Sequence, residues 1–554
     1  MLLQPSIVGL SKSHTVRWQN LPRSCIISQT SQKEHKLKIL LVYPEYPETF
    51  WSFKHALKFI FKRAAFPPLG LLTVAAMLPA HWEKKLVDMN TTPLSDIDLQ
   101  WADYVFLSAM VVQQNSAREV IARCKKLGTR IVAGGPLFSP GYEEFGFDDI
   151  DHLIFYEAEN TLPDFLRDLE RGCPKHIYVS EQRPDITRTP VPLWSLIDKR
   201  KYQLMSIQYS RGCPFNCEFC DIVVMNGHVP RTKSRDQVVA ELEALYNFGW
   251  RGSVFFVDDN FIGNKKKLKS EILPAIIHWM QQRKYPFSFF TEVSINLADD
   301  DELIRLMVEA GFDTVFVGIE SPHEKSLVEC NKLPNKKRDM LASVKKIQSR
   351  GLQVQGGFIV GFDSDPVSIF KSQIDFIQRS GIVTAMVGVL MAPPGTKLYQ
   401  RLKREKRLLP GGSGDNTDGS TNFIPKMGLE TLVKGYHYIV STIYAPKHYY
   451  ERIKTFLKQY KPKPKKRFRI SFLHFVAWIR SMWVLGIKER GRKYYWELFL
   501  WTLCKKPKCF PLSMTLAAQG FHFRKVAEKV RVSSLKDARV WQETKNLAMK
   551  QQQP

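Results

Sequence analysis

The chain has 554 residues, 44% of them hydrophobic and 12% aromatic, which excludes a largely disordered polymer and allows two or three domains with their own cores. Nine cysteines are too few for a disulfide scaffold. A surplus of 81 Lys and Arg over 54 Asp and Glu, +27 in all, suggests an anionic partner, either nucleic acid or membrane headgroups.

Residues 1–35 read as a disordered extension: serine is frequent, and there is no acidic residue up to position 33. An organellar transit peptide and a start placed too far upstream are the other readings. An uncharged apolar run of roughly 18 residues, the spanning minimum, is absent, as is a secretory core. A cytoplasmic chain without a transmembrane helix is therefore expected.

Ordered sequence begins at Lys36. KILLVY at Lys38–Tyr43, ending in Pro44, reads as a buried parallel strand. Similar runs at Lys85–Asp88, Tyr104–Ser108, Arg130–Ala133 and His152–Phe155 alternate with helical patterns such as Leu69–Leu78 and Ser116–Leu127. The alternation predicts a doubly wound α/β domain over 36–175, with its ligand beyond the carboxyl ends of the strands. The loops Pro44–Phe53, Ala109–Asn115 and Gly134–Pro140 would shape that crevice. Gly134 and Gly135 allow close backbone approach to a ligand, although a tight strand-to-loop turn uses the same residues.

Residues 176–202 hold Pro184, Pro190 and Pro192 and read as a linker. A second series over 203–410 predicts strands at Ser206–Tyr209, Ser253–Val257, Ser288–Val293, Thr314–Val317, Gln353–Val360 and Ala385–Leu390. Helices are expected between them at Arg235–Phe248, Lys266–Gln282, Asp300–Ala310, Lys337–Arg350 and Pro366–Gln378. Six βα units in about 200 residues suit a partial (β/α)6 barrel better than a second open sheet. GGSGDNTDGS at 411–420 reads as a flexible polar break opening a mostly helical, basic region over 411–554. There, Lys461–Ile470 (KPKPKKRFRI) holds six basic residues and no acidic one. Ser471–Gly486, with Trp478 and Trp483, and Tyr494–Leu503, with Trp496 and Trp501, follow it.

Cys213, Cys217 and Cys220 form C-x3-C-x2-C just after the first strand of the second series. Three thiolates on one short loop can each bind an iron of a cubane 4Fe–4S cluster and leave the fourth iron open. Zinc is the alternative: it takes four ligands, usually as two pairs, and His228 could complete a Cys3His site at an unusual spacing. The other six cysteines are scattered and read as small buried side chains.

These cysteines lie in SRGCPFNCEFCDI at 210–222, and further motifs accompany them. They are TFWSFKHALKF near residue 50, FPPLGLLTVAAMLP at 66–79, VFFVDDNFIGN at 254–264, VFVGIES at 315–321, GGFIVGFDSD at 356–365 and TIYAPKHYYERI at 442–453. Over roughly 36–505 the chain resembles the cobalamin-binding-domain radical S-adenosylmethionine proteins, in the subgroup of the hopanoid C-2 methylase. The resemblance implies a flavodoxin-like cobalamin domain ahead of the barrel. It also implies an open iron that binds S-adenosylmethionine, from which one electron releases a 5′-deoxyadenosyl radical. Phe219 would then pack near the adenine. The stretch Val257–Asn260, with Asp258 and Asp259, would face the methionyl amino group. Glu292 and Glu320 would serve the ribose hydroxyls and the methionyl moiety, and Gly357 and Gly361 would let adenine lie against backbone. Acidic groups at the carboxyl ends of barrel strands usually face the site; a surface salt bridge is the alternative reading of the two glutamates.

Many cobalamin proteins carry an Asp-x-His-x-x-Gly loop, whose His binds cobalt. The corresponding stretch here, Ser108-Ala-Met-Val-Val-Gln-Gln114, has no His. Cobalamin is expected without a protein ligand on cobalt, or else the domain has lost it; Ser108, Met110, Gly134 and Gly135 are the candidate contacts. The implied reaction is methylation of an unactivated carbon on a small, lipid-like metabolite, with a flavodoxin or ferredoxin as electron donor. Radical cyclisation or rearrangement without methyl transfer is the rival reading. A metal-stabilised nucleic-acid-binding protein is a more distant one, and no recognisable motif supports it. No general base is legible. The basic, Trp-rich end suits peripheral attachment to the inner face of a membrane, or else a solvated helical domain with its tryptophans turned inward.

Overall fold

The computed structural model describes residues 36–139, 141, 146, 148–415, 417–462 and 472–550. The extension 1–35 and most of the basic run 461–470 lie outside the described residues.

Apolar residues on both faces of the central strands produce the first layer. Ile39 and Leu41 of β1 (Lys38–Tyr43) pack under the helices Leu69–Met77 and Ala158–Glu170. Leu40 and Val42 pack under the helix Gln114–Leu127 on the opposite face. A strand covered on both sides must be apolar throughout, which is why KILLVY shows no alternation. With β2 (Glu83–Asp88), β3 (Tyr104–Ser108), β4 (Arg130–Gly134), β5 (His152–Ile154) and β6 (Ile177–Tyr178), it forms a parallel sheet in the order β2-β1-β3-β4-β5-β6. This is the flavodoxin-type winding, extended at one edge by β6 from the stretch read as a linker.

The second layer begins with β7 (Met205–Ile207). A short antiparallel pair, β8 (Ser210–Arg211) and β9 (Arg231–Thr232), brackets the cysteine loop. Then come β10 (Ser253–Phe256), β11 (Ser288–Val293), β12 (Phe312–Glu320), β13 (Gln353–Val360) and β14 (Ala385–Val389). All pair in parallel and in sequential order from β7 to β14, giving the six-stranded partial barrel. Val254, Phe256, Phe289, Thr291, Val315 and Val317 are fully buried beneath the outer helices. Phe255, Phe290, Glu292 and Phe316 alternate with them, face inward and keep partial exposure. The barrel is therefore hollow, and its wall is largely aromatic. Phe255 and Phe290 stack at 4.5 Å, with Phe66 5.7 Å from Phe255. Trp51 closes the same space, edge-on to Phe316 at 5.5 Å and donating from Nε1 to Met386 Sδ (3.0 Å).

The C-terminal helices are integral to this core. Helices Leu429–Ile443 and Pro446–Gln459 pack on the barrel helix Ile369–Ser380. Arg452, fully buried, donates from its terminal nitrogens to Gln378 Oε1 (2.6 Å) and to the carbonyls of Ile443 (2.8 Å) and Val383 (3.1 Å). The closing helix Phe510–Lys550 returns to the start of the chain, where Phe523 stacks on Phe50 at 4.3 Å and His522 donates to the Phe50 carbonyl (3.0 Å).

Two expectations change. The 411–420 stretch is not a loose break, because Thr417 is buried and its carbonyl accepts the Tyr436 hydroxyl (2.5 Å). Gln114 also reaches across from the first layer to the Gly412 carbonyl (3.1 Å). The four tryptophans do not share one fate. Trp478 stacks on Phe499, Trp496 donates to the Gly486 carbonyl (2.9 Å) and Trp501 is half-buried, whereas Trp483 is 54% exposed.

Candidate active site

The cysteine loop is strung between two anchored ends. Gly212 has φ +96°, and a Cβ there would come within 2.9 Å of the Val229 carbonyl, so only glycine fits the turn into Cys213. Asp258, just past β10, accepts from the backbone N–H of Tyr209 (3.2 Å) and Ser210 and from the Ser210 hydroxyl (2.6 Å). Asp259 accepts from the Gly212 N–H (2.7 Å) and from Asn226 (3.0 Å). The two carboxylates, expected to face the methionyl amino group, are thus engaged in holding the loop. Burial pushes Asp258 up to about 7 against the pull of its Ser210 hydrogen bond.

From the other side, the loop is tied to the segment after β12. Glu218 donates its N–H to the Cys330 carbonyl (2.9 Å), and Asn331 donates its side-chain amide to the Asn216 carbonyl (3.0 Å). The Glu218 carboxylate is clamped by Arg401 (2.7 and 3.1 Å), which also binds Asp363 (2.8 Å). Cys213, Cys217 and Cys220 are carried between these supports. Burial raises all three thiols, and Lys332 pulls each back down. Among the described residues, no three His, Cys, Asp or Glu side chains converge closely enough for a single metal ion. Three thiols on one short loop, with no fourth ligand paired to them, match the ligand count of a cubane with one open iron better than the four ligands zinc takes.

Glu320 ends β12 at φ +61°, in the left-handed region, where the β12–β13 register shifts. Asn335 holds this strained end by donating to the carbonyls of Gly318 (3.0 Å) and Ile319 (2.9 Å). The Glu320 carboxylate accepts from Lys332 Nζ at 2.6 Å. It is therefore not a surface salt bridge: both partners are largely buried. Glu292 points into the barrel, and burial, followed by the field of Asp259, pushes it up to about 7. Phe219 lies 6.1 Å from Phe362. The Cα faces of Gly357 and Gly361 are covered by the Phe316 ring and the Leu432 side chain, where a Cβ would sit at 2.9 and 3.0 Å.

Between the crest of the first sheet and the cysteine loop lies a cavity of about 400 Å³. Ser108 and Gly134 line it from the ends of β3 and β4 and Gly135 from the turn that follows, with Gln208, Arg211 and Lys233 on the barrel side. Gly135 has φ +97°, and a Cβ there would meet Ser108 Oγ at 2.6 Å. Met110 is outside this lining and exposed. The two layers are bolted at its rim, where Arg211 pairs with Glu157 (2.8 Å) and Glu159 (2.7 Å) and Arg231 with Glu157 (2.8 Å). Lys332 and Arg401 were invisible to motif reading, because the groups that give them meaning, Glu320 and Glu218, belong to other elements. Arg211 stood inside the cysteine motif, two residues before Cys213, but its partners Glu157 and Glu159 did not.

Family models match in the same places. Residues 63–166 match the B12 binding domain, 207–377 the radical SAM superfamily and 396–535 a domain of unknown function (DUF4070). The chain is 41% identical over 498 residues to an uncharacterized methyltransferase of Synechocystis sp., covering 89% of this chain and 93% of that one. It is 33% identical over 486 residues to the hopanoid C-2 methylase of Rhodopseudomonas palustris, covering 84% of this chain and 89% of the relative. The chain belongs to the cobalamin-binding radical S-adenosylmethionine family. In fold, this family member resembles the cobalamin-dependent radical enzyme OxsB with aqua-cobalamin bound (TM-score 0.57, 15% identity, 91% of this chain and 81% of that one).

The radical enzyme's cofactors are those of the family: a 4Fe–4S cluster, S-adenosylmethionine and cobalamin. The residues present fit them. Three thiols sit on one anchored loop, and a roomy cavity opens at the carboxyl ends of β3 and β4. No histidine lines that cavity, so the described residues offer cobalt no imidazole there. Gln113, in the loop expected beneath the corrin, is buried and donates to the Pro44 carbonyl at 2.5 Å. No helix among the described residues is long and apolar enough to cross a membrane.

Proposed function

We propose that this enzyme methylates an unactivated carbon of an apolar, lipid-like small molecule. The observation that carries the substrate class is the hollow barrel walled by Trp51, Phe255, Phe290, Phe316 and Met386. Such a wall rewards burial of hydrocarbon by roughly 25 cal/mol per Å² and offers few hydrogen bonds to a polar guest. The 33% relationship to a hopanoid C-2 methylase supports the same reading. When bound, the cluster, S-adenosylmethionine and cobalamin supply the radical and methyl-transfer chemistry.

In this reading, Cys213, Cys217 and Cys220 hold the cluster. Asp258 and Asp259 keep the loop in place, while Glu292 and Glu320 border S-adenosylmethionine at the carboxyl ends of β11 and β12. Phe219 shapes the adenine side, whereas the Cα faces of Gly357 and Gly361 are taken up by Phe316 and Leu432 and leave no bare backbone there. Ser108, Gly134 and Gly135 receive cobalamin, and the Arg211–Glu157–Arg231 bolt fixes the distance between the two cofactor sites. Trp51 and the aromatic wall exclude water and hold the guest still.

We assign electron delivery to a small acidic donor of the flavodoxin or ferredoxin type, which the +27 balance suits. We also place the enzyme on an anionic membrane surface. Ile479, Trp483 and Ile487 recur at four-residue spacing and are 44, 54 and 50% exposed, with Phe61 and the cations Arg480 and Lys488 beside them.

The test is anaerobic incubation of the reconstituted enzyme with methyl-labelled S-adenosylmethionine and a lipid extract from cells lacking it. Label in an apolar product is expected. Conversion of an extract component without label would transfer the reading to cyclisation or rearrangement.

A further inference from the structure

We propose that Lys332 sets how readily the three-cysteine cluster accepts its electron, with Glu320 as the opposing charge. The inference rests on the reading of Cys213, Cys217 and Cys220 as cluster ligands.

Two observations converge. The Cys330–Lys332 segment is hydrogen-bonded directly to the cysteine loop, through Glu218 to the Cys330 carbonyl and through Asn331 to Asn216. This places the lysine beside the cluster site by backbone geometry, not by a swinging side chain. The ammonium is enclosed, with its side chain only 15% exposed and Nζ on Glu320 Oε1 at 2.6 Å. Gly318 leaves the room, since a Cβ there would lie 2.7 Å from Nζ.

A cubane bearing three thiolates becomes one charge more negative when an electron from an external low-potential donor enters it. No bond breaks, and the lysine keeps its proton. A fixed cation nearby favours the more negative state and raises the reduction potential, and a carboxylate does the reverse. In a buried site, neither effect is screened as it would be at the surface. The bland alternative is an ion pair that only staples β12 to the following segment. Breaking a staple lowers cluster yield but gives the two partners no reason to shift the potential in opposite directions.

The experiment uses the full-length protein, anaerobically reconstituted without S-adenosylmethionine and titrated with titanium(III) citrate under electron paramagnetic resonance. Lys332→Met should move the midpoint negative, lowering the reduced-to-oxidised ratio about tenfold at fixed poise, about 59 mV for one electron. Lys332→Arg should stay near wild type, and Glu320→Gln should move the midpoint positive. Unchanged midpoints in Lys332→Met and Glu320→Gln at full iron content, or shifts of the same sign, overturn the proposal. If Lys332→Met takes up no iron, Lys332→Gln and Glu320→Gln carry the same comparison. A wild-type protein that binds fewer than three irons would remove the cluster reading itself.

Discussion

At Glu292 the barrel holds a carboxyl whose pKa is pushed up to about 7 by burial and by the nearby Asp259 charge. The folded chain therefore binds this proton more tightly than the unfolded one, and the stability it contributes is fully present below the ordinary carboxylate range. That stability is lost as pH rises toward 7. Glu292→Gln should leave urea stability near wild type at pH 5 and raise it by about 2 kcal/mol at pH 8 in the cofactor-free protein. Equal effects at both values would refute the assignment. Each of Cys213→Ala, Cys217→Ala and Cys220→Ala should abolish the brown chromophore on reconstitution while leaving far-ultraviolet circular dichroism intact, because the loop is held by Asp258 and Asp259. Those three cysteines were legible because their spacing is local. Lys332 was not, since its significance depends on a left-handed residue and a register shift twelve positions earlier. The Asp258 and Asp259 carboxylates were legible as strand-end acids, but backbone N–H groups to hold are not written in a sequence.

Among the elements, the apolar strands were the easiest to read. KILLVY and the six runs of the barrel carry continuous or alternating hydrophobicity because they are covered on one or both faces. The inward aromatic row was not separable from core, as Phe255 and Phe256 look alike until the pleat assigns their sides. The closing helix was read only as basic and helical, yet Phe523→Ala should cost about 3 kcal/mol in urea denaturation, since it removes a buried ring stacked on Phe50 and tilted against Tyr444. This also makes deletion of the C-terminal region a poor test of membrane binding. The substitutions Trp483→Glu and Ile487→Glu leave Phe523 in place. Together they should reduce flotation with phosphatidylglycerol vesicles at least fivefold, while equal partitioning would detach the membrane proposal from this face.

For the whole molecule, order and composition exposed two sheets and a basic end, but not the cavity that the two sheets make together. Ser108 and Gly135 come from β3 and the β4 loop, and Arg211 and Lys233 from the barrel. No linear pattern announces that they face one another. The bolt at its rim yields a prediction at this scale. Glu157→Ala leaves Arg211 and Arg231 with fewer acceptors, so the two layers should separate more readily. Limited proteolysis within 176–202 should then become at least severalfold faster, with cobalamin bound per chain falling in parallel.

The contact of Phe50 with Phe523 joins the second segment of the chain to nearly its last. A ribosome feeds residue 523 out long after residue 50, so Phe50, the neighbour of Trp51, waits without its stacking partner until synthesis is almost finished. The support behind the aromatic chamber is thus completed late. An interrupted translation product would expose the inner wall of the barrel, marking it for chaperones and proteases before it could generate a radical.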